Sequence, residues 1–269
     1  MNIKMIVSDV DGTLLPYGGI LPDITARTLR ELYEKGFEMV PASGRVLGAF
    51  PGPIMQLPGR YIISSNGAVI TERIEKRRLY EALMPAGLTA KLLECLKKYE
   101  TYTCVYMDDW AYNWDVIPDF VDRYYPGRAL FRYEPKKDLA EYIGGCASGV
   151  EKIFVVVKSQ EVKEEIRREM AEIPGIQCTS SSAMNLEINH ASADKGTAIA
   201  WLGTYLGIDA EHTLAMGDNE NDHTMLRYAG YSIVPKNGKK ETKALADRIV
   251  GDCREGGVAY FLRDLFLGK

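Results

Sequence analysis

The chain has few of the residues and patterns that mark several common protein classes. Its 269 residues include only five cysteines, which are widely scattered and show no paired spacing for zinc. The odd count predicts reduced thiols, as in a cytoplasmic protein. The three histidines show no metal-ligand spacing either. No apolar run approaches the roughly 20 residues that a membrane span needs. A strand-like run begins as early as Ile3, so we expect no secretory leader.

The charge of the chain is nearly balanced. Lysine and arginine number 33 against 37 aspartate and glutamate residues, a formal net charge of −4. This balance favours neither nucleic acid nor an anionic membrane as a partner, and the sequence has no nucleotide P-loop and no dinucleotide fingerprint. The 46% hydrophobic content is typical of a globular protein with one large domain or two ordinary ones. Both a monomer and a homodimer remain open.

Residues 3–15 contain the most informative pattern in the chain. An apolar, β-branched run predicts a buried strand, and it ends in two acids, Asp9 and Asp11. In an open α/β sheet, ligands bind just beyond the carboxyl ends of the strands. Two carboxylates at that edge repel each other unless a cation or a shared proton holds them. Mg²⁺ prefers oxygen ligands and is the usual cation where the substrate carries phosphate.

Three other interpretations of this stretch compete with a catalytic site. A simple turn at Asp11-Gly12 explains the glycine but not Asp9, a charge at the end of an apolar run. A calcium loop is excluded because Thr13 and Ile20 stand where acids are needed. A receiver-type domain, in which a strand-end aspartate accepts phosphate as a signal, remains open.

Two further strands also end in polar turns. A helix after Pro22 and a short strand over residues 37–40 predict a right-handed crossover and a parallel sheet. The turn that follows carries Ser43, Gly44 and Arg45 and should open on the same sheet edge as Asp9. Another strand over residues 213–216 runs into a second group of polar side chains, Asp218, Asn219, Glu220, Asn221 and Asp222.

Lys195 and Asn66 are weaker signals. Asp194 should cap a helix with Lys195 in its first turn, an unfavourable place for a cation against the helix dipole. That placement is compatible with anion binding, but a solvated surface lysine also tolerates it. Asn66-Gly67, after a strand over residues 61–64, is the strongest hairpin signal in the chain, and it can be a turn and nothing more.

The composition shifts between residues 85 and 185. Aromatic residues concentrate between Tyr99 and Tyr133, including Trp110 and Trp114, and they are more typical of a core than of a ligand platform. Helices over 88–96 and 162–170 alternate with strands over 103–107 and 153–157. This alternation predicts a second α/β layer with its own core.

Four short stretches, in the same order along the chain, resemble the motifs of the haloacid dehalogenase superfamily of phosphohydrolases. They are Asp9-Val10-Asp11-Gly12-Thr13, Ser43-Gly44-Arg45, Lys195-Gly196 and Gly217-Asp218-Asn219-Glu220-Asn221-Asp222. Asn66-Gly67-Ala68 and the long insert before Lys195 narrow the resemblance to the Cof-type branch. His223 departs from the family, which usually has an apolar residue there, and so does the stretch 231–238.

The resemblance implies an α/β fold with a Rossmann-like parallel sheet. Residues 1–84 and 186–269 would form this core, and residues 85–185 an inserted α/β cap domain that closes over the site. Small phosphorylated metabolites, such as sugar phosphates or phosphorylated cofactors, would be the substrates. A phosphosugar mutase or sugar-phosphate phosphatase of a related capped branch, or a phospho-acceptor domain without turnover, are the alternatives.

The resemblance also assigns roles to individual residues. Asp9 would attack phosphorus to form an aspartyl-phosphate, and Asp11 would act as general acid and base. The predicted metal residues are Asp9, Asp11, Asp218 and Asp222, with Mg²⁺ held by the carboxylates of Asp9 and Asp218 and by the main-chain carbonyl of Asp11. The phosphate contacts would come from Ser43, the Gly44 amide, Lys195 and Asn221. Asn221 and Asp222 would position either Lys195 or metal-bound water, and Arg45 and Asn66 would contact the substrate.

Overall fold

The computed structural model describes residues 2–108, 110–124 and 133–268. These residues divide into two compact units. The first comprises Met1–Arg45, Phe50–Glu81 and Asp194–Lys269, and the second comprises Val46–Ala49 and Ala82–Ala193.

The strands are, in chain order, β1 (Met5–Ser8), β2 (Glu38–Pro41), β3 (Tyr61–Ser64), β4 (Val69–Glu72), β5 (Arg77–Glu81), β6 (Thr101–Met107), β7 (Trp110–Trp114), β8 (Tyr133–Lys136), β9 (Lys152–Val157), β10 (Ile176–Thr179), β11 (Asn185–His190), β12 (Thr213–Met216), β13 (Tyr231–Pro235) and β14 (Arg248–Val250).

The α-helices are α1 (Asp23–Glu34), α2 (Gly52–Met55), α3 (Ala86–Leu96), α4 (Val121–Tyr124), α5 (Leu139–Gly144), α6 (Gln160–Ala171), α7 (Lys195–Leu206), α8 (His223–Tyr228), α9 (Lys240–Lys243) and α10 (Gly257–Leu267). None of the helices in the described ranges combines the length and the apolar character that crossing a membrane requires.

A five-stranded sheet in the order β14-β13-β12-β1-β2 forms the centre of the first unit. All its strands are parallel, as predicted, with Met5 of β1 in register with Thr213 on one side and Glu38 on the other. The carboxyl ends of β12, β1 and β2 therefore lie side by side. The turns that follow these strands carry the polar groups singled out in the sequence.

The central strands β1 and β12 are buried at every position instead of alternating, as expected for a parallel sheet that is covered on both faces. All four residues of β1 are buried. Met5 and Val7 pack in one core cluster with Ala198, Ile199 and Leu202 of α7. The predicted apolar face of α7 is thus confirmed at these positions, whereas Tyr205, predicted for the same face, is half exposed.

A small antiparallel sheet, β3-β4-β5, completes the first unit. Ser65, Asn66 and Gly67 connect β3 to β4 with φ angles of 51°, 59° and 96°. The predicted hairpin is therefore present. Ala42, which follows β2, forms a parallel bridge to Ile63. This bridge holds the hairpin beside the carboxyl end of β2.

The second unit is built on a six-stranded sheet in the order β10-β11-β9-β6-β7-β8, antiparallel except for β7 and β8. Helices α3, α5 and α6 cover one face with a continuous apolar cluster. Tyr102, Tyr106 and Phe154 pack together in a second cluster. The core interpretation of the aromatic residues holds for these side chains, but Trp110 is half exposed, and Tyr125 and Phe131 lie outside the described residues.

The boundary of the second unit differs from the one expected. The sequence predicts residues 186–193 in the first domain, but β11 lies between β9 and β10 in the sheet of the second unit, and the chain returns to the first unit at Asp194. Pairing of β11 depends on strands distant in sequence, such as Leu186 with Val155. Its local alternation carries no information about which sheet it joins.

The core of the second unit gives a first testable prediction. Leu92 of α3 is fully buried in the apolar cluster, so Leu92→Ala should lower the free energy of unfolding by about 2–5 kcal/mol. The neighbouring Lys91→Ala, on the exposed side of the same helix, should change it by less than about 0.5 kcal/mol. Urea unfolding followed by circular dichroism measures both, and equal effects would contradict this packing.

Candidate active site

Asp9 lies directly after β1 and is almost fully buried. Its backbone N–H donates to the carbonyl of Met216 at 2.8 Å, which extends the pairing of β1 with β12 by one residue. Its carboxylate Oδ1 accepts a 2.6 Å hydrogen bond from Lys195 Nζ. The strand pair therefore fixes the backbone of Asp9, and the lysine fixes its side chain.

Lys195 begins α7 and is completely buried, which excludes the solvated surface lysine. The Asp194 carboxylate caps the helix by accepting from Thr197 N at 2.9 Å. Lys195 Nζ lies 2.6 Å from Asp9 Oδ1 and 2.7 Å from Asp222 Oδ1. Burial alone would lower the pKa of Lys195, but the two carboxylates outweigh it and raise the pKa above its ordinary value. Lys195 is therefore a charged ammonium group between two acids.

Asp222 organises the loop that follows β12. Its Oδ2 accepts from the backbone N–H groups of Asp218 at 2.8 Å and Asn219 at 2.9 Å, while its Oδ1 accepts from Lys195. The Asn219 and Asp222 side chains form a capping box at the start of the next helical turn. Gly217 is required here because a Cβ would lie 2.5 Å from the Cβ of Asp222.

Asp218 is buried at the end of β12, with both carboxylate oxygens engaged. Oδ1 accepts from Thr13 Oγ1 at 3.2 Å, and Oδ2 accepts from the Tyr17 hydroxyl at 3.0 Å. Burial raises the pKa of Asp218 to about 7, and the nearby Asp222 carboxylate adds to the rise.

The loop after β1 folds back on itself and meets Asp218. The backbone N–H groups of Leu14 and Leu15 donate to the carbonyl of Val10, and Gly12 N donates to the carbonyl of Leu15. Gly12 has a φ of 93°, and a Cβ there would lie 2.4 Å from Asp218 Oδ2. Only glycine permits this approach of the loop to the acid.

Oxygen ligands for a cation converge at this point. One carboxylate oxygen from each of Asp9, Asp218 and Asp222 lies within 4.8 Å of the others. Acids outnumber bases around them, since four carboxylates face two cations: Asp9, Asp11, Asp218 and Asp222 against Lys195 and Arg45. This donor set of hard oxygens, with a formal excess of two negative charges, fits a divalent cation such as Mg²⁺.

The pKa of Asp9 is raised by its burial and by the neighbouring acids. Burial raises it well above its ordinary value, and the carboxylates of Asp222, Asp218 and Asp11 add to the rise against the opposing ammonium of Lys195. A bound cation would favour the ionised form of the aspartates and so lower these pKa values.

The Asp11 carboxylate pairs with Arg45 and not with Lys195. Arg45 forms a two-pronged ion pair with it, from Nε to Oδ2 at 2.6 Å and from Nη2 to Oδ1 at 2.9 Å. The Asp11 side chain is 23% exposed, unlike the buried acids around Lys195. It lies outside the three converging carboxylates, and Arg45, expected at the substrate, holds Asp11 in this structure.

Ser43 and Gly44 lie in a turn that is tied to the β3–β4 hairpin. Ser43 N donates to the carbonyl of Ile63 at 2.9 Å, and Asn66 N donates to the carbonyl of Ser43 at 3.0 Å. Ser43 Oγ accepts from the Arg45 N–H at 3.2 Å. The turn after β2 and the hairpin therefore hold each other in place.

The hairpin also reaches the helix that carries Lys195. Asn221 Nδ2 donates to Asn66 Oδ1 at 3.0 Å, which joins the hairpin to the acidic loop. A Cβ on Gly67 would lie only 2.3 Å from the carbonyl oxygen of Asp194. Asn66 and Gly67 are thus more than a turn, because they set the position of the first residues of α7.

Several residues at the site were missed from sequence. Thr13 and Tyr17 bind Asp218, and Asn237 Nδ2 donates to the Gly12 carbonyl at 2.7 Å while its Oδ1 accepts from Cys253 N. Thr13 belongs to the first motif, but Tyr17 has no local signal. His223, which departs from the family pattern, forms a hydrogen bond with Thr242, with 3.0 Å between Nε2 and Oγ1.

The chain is similar to known proteins over nearly its whole length. A family model described as haloacid dehalogenase-like hydrolase matches residues 6–262. A 5-amino-6-(5-phospho-D-ribitylamino)uracil phosphatase from Bacillus subtilis, YcsE, is 24% identical over 268 residues, which cover 98% of this chain and 96% of that protein. Phosphatase YwpJ from the same organism is 26% identical over 299 residues, covering 98% and 100%.

A solved structure shows the same fold. The structure of a haloacid dehalogenase-like hydrolase from B. subtilis superposes with a TM-score of 0.87 at 23% identity and covers 98% of this chain and 100% of its own. The α/β fold class predicted from the sequence is thereby confirmed.

The contact between the hairpin and α7 gives the second prediction. Gly67→Ala should lower the free energy of unfolding by about 3 kcal/mol or more, because it adds a backbone clash to the strain of a positive φ. Gly207→Ala is a matched control, since Gly207 has a φ of 67° but nothing within 4 Å of an added Cβ. It should cost about 1–2 kcal/mol. Denaturant unfolding measures the difference, and equal losses would contradict the close contact.

Proposed function

Because the chain belongs to the haloacid dehalogenase-like hydrolase family, we propose that it hydrolyses small phosphate monoesters through a phosphorylated Asp9 in the presence of Mg²⁺. The enzyme is a phosphatase of this superfamily, a phosphoric monoester hydrolase. One observation carries the mechanism: a fully buried Lys195 holds Asp9 and Asp222 in a cluster of acids at the carboxyl ends of β1 and β12.

In this mechanism Asp9 is the nucleophile. Lys195 holds Oδ1, while Oδ2 accepts no hydrogen bond from any residue that the structure describes. An oxygen of Asp9 bonds to phosphorus as the bond from phosphorus to the leaving oxygen breaks. Water then attacks the phosphorus of the aspartyl-phosphate, which releases inorganic phosphate and restores Asp9.

Asp11 is the proposed general acid and base. It donates a proton to the leaving oxygen in the first step and takes one from the attacking water in the second. Its partial exposure supports this role, because a leaving group or water can reach it. Arg45, already paired with Asp11, remains a proposed substrate contact on the same side.

The transferred phosphoryl group would be held by positive charge and by hydrogen-bond donors. Lys195 supplies the ammonium, and Ser43, the Gly44 amide and Asn221 are the proposed donors to the phosphate oxygens. Asn221 also donates a hydrogen bond to Asn66. We therefore propose that Asn66 orients Asn221 and lies beside it at the substrate.

Asp9 and Asp218 would hold Mg²⁺ through their carboxylates, together with the main-chain carbonyl of Asp11. When bound, the ion supplies positive charge that offsets the repulsion between the attacking carboxylate and the phosphate. Asp222 belongs to the same group of carboxylates and is also predicted at the metal, but its hydrogen bonds fit a different task. Its Oδ2 already accepts two backbone N–H groups and its Oδ1 accepts Lys195, so we propose that it positions Lys195.

The substrate class is small phosphorylated metabolites. The relative YcsE supports it, since its name gives a phosphorylated ribitylaminouracil as substrate. We propose a sugar phosphate or a phosphorylated cofactor for this chain, with the second unit as the cap that selects it. We also propose that the enzyme works in the cytoplasm, where its five free cysteines would remain reduced.

The proposal predicts that Asp9→Asn abolishes turnover while the fold is retained, because an amide is a poor nucleophile. Release of inorganic phosphate from a panel of monoesters, with Mg²⁺ and with a chelator, measures it. Asp23→Asn, at the start of α1, is the control and should keep full activity. Normal turnover by Asp9→Asn would overturn the mechanism. If the unaltered protein bound one phosphate per chain and released none, the result would indicate a phospho-acceptor domain.

The buried lysine gives a prediction that separates stability from catalysis. Lys195→Met leaves two buried acids without their cation and should cost about 3–5 kcal/mol of unfolding free energy as well as activity. Adding Asp222→Asn removes one of those charges, so the double variant should regain part of the stability. It should regain no activity, because the phosphate still lacks its ammonium partner. Recovery of turnover in the double variant would contradict the role of Lys195.

A further inference from the structure

Tyr17 combines an exposed ring with a hydroxyl directed at a buried acid. The residue is 60% exposed, among the most exposed aromatic residues in the described ranges. Its hydroxyl nevertheless donates to Asp218 Oδ2 at 3.0 Å. A surface tyrosine ordinarily leaves its hydroxyl in water, so the direction of this side chain calls for a reason beyond packing.

The backbone of the loop accounts for the position of Tyr17. Hydrogen bonds from Leu14 N and Leu15 N to the carbonyl of Val10 close a first turn, and Gly19 N donates to the carbonyl of Pro16 in a second turn. Tyr17 lies within the second turn, with its ring so close to Gly12 that a Cβ there would be 2.6 Å from Tyr17 Cε2. Two turns and a glycine thus hold the ring over the loop and beside Asp218.

Asp218 is held from both sides by this arrangement. Thr13 Oγ1 donates to Oδ1 and the Tyr17 hydroxyl donates to Oδ2, so neither oxygen is free to rotate away. A carboxylate oxygen offers two acceptor positions, and each oxygen of Asp218 therefore retains one for a cation. Hydrogen bonds of this kind to a metal-ligating carboxylate fix its orientation and raise its affinity.

We infer that Tyr17 is a positioning residue of the cation site. Its hydroxyl holds Asp218 in the orientation that accepts Mg²⁺, an inference that rests on the proposed function. Thr13 belongs to the same motif as Asp9 and Asp11, whereas Tyr17 lies beyond it and gives this chain a second donor to Asp218. If the hydroxyl instead occupied the place of the cation, removing the hydroxyl would tighten cation binding.

Binding of Mn²⁺ to the full-length protein without substrate tests the inference, with electron paramagnetic resonance measuring the free ion. Tyr17→Phe removes only the hydroxyl and should raise the dissociation constant for Mn²⁺ about tenfold. Tyr260→Phe is the matched control, because Tyr260 is 59% exposed on α10 of the same unit. It should bind Mn²⁺ as the unaltered protein does.

Kinetics separate positioning of the cation from a general structural effect. Tyr17→Phe should raise the Mg²⁺ concentration needed for half-maximal turnover, while kcat at saturating Mg²⁺ stays close to that of the unaltered enzyme. Equal or tighter Mn²⁺ binding by Tyr17→Phe, or a fall in kcat that excess Mg²⁺ does not restore, would overturn the role of Tyr17. If the unaltered protein bound no Mn²⁺, both the cation site of the proposed function and the positioning role of Tyr17 would be overturned.

Discussion

The ion pairs of Lys195 are the interaction on which the rest of the site depends. A fully buried ammonium is stable only beside carboxylates, and carboxylates buried as deeply as Asp9 and Asp222 need a cation in return. Each group therefore requires the others. This mutual requirement brings together the end of β1, the start of α7 and the loop after β12, and it leaves a negative excess suited to a metal ion.

Two features of the fold set the geometry of the site: the strand ends that meet at one sheet edge, and the glycines that allow close contacts there. Parallel strands place Asp9 and Asp218 at one sheet edge, where ligands bind in such sheets. Gly12 and Gly67 then allow backbone approaches that any side chain would prevent. The hairpin joins the turn after β2 to α7, so the phosphate-binding candidates share one support. Rigid backbone of this kind is what positions reacting groups to within a fraction of an ångström.

Much of this could be predicted from sequence where the signal was local. Asp9 and Asp218 each follow an apolar strand, and a parallel sheet places such ends together. Nothing local, however, pairs Asp11 with Arg45 or Tyr17 with Asp218, because these bonds depend on how loops fold in three dimensions. The assignment of β11 to the first domain was wrong for the same reason. Its alternation was visible, but its partner strands were not.

The most direct test of this account is a search for phosphate on the enzyme itself. The protein would be mixed with a phosphate monoester that it turns over and with Mg²⁺, quenched in acid during turnover, and digested for mass spectrometry. The account predicts one phosphoryl group per chain, on Asp9, that disappears once the substrate is exhausted. Multiple turnovers with phosphate on another residue, or with no phosphorylated enzyme at any time, would contradict it.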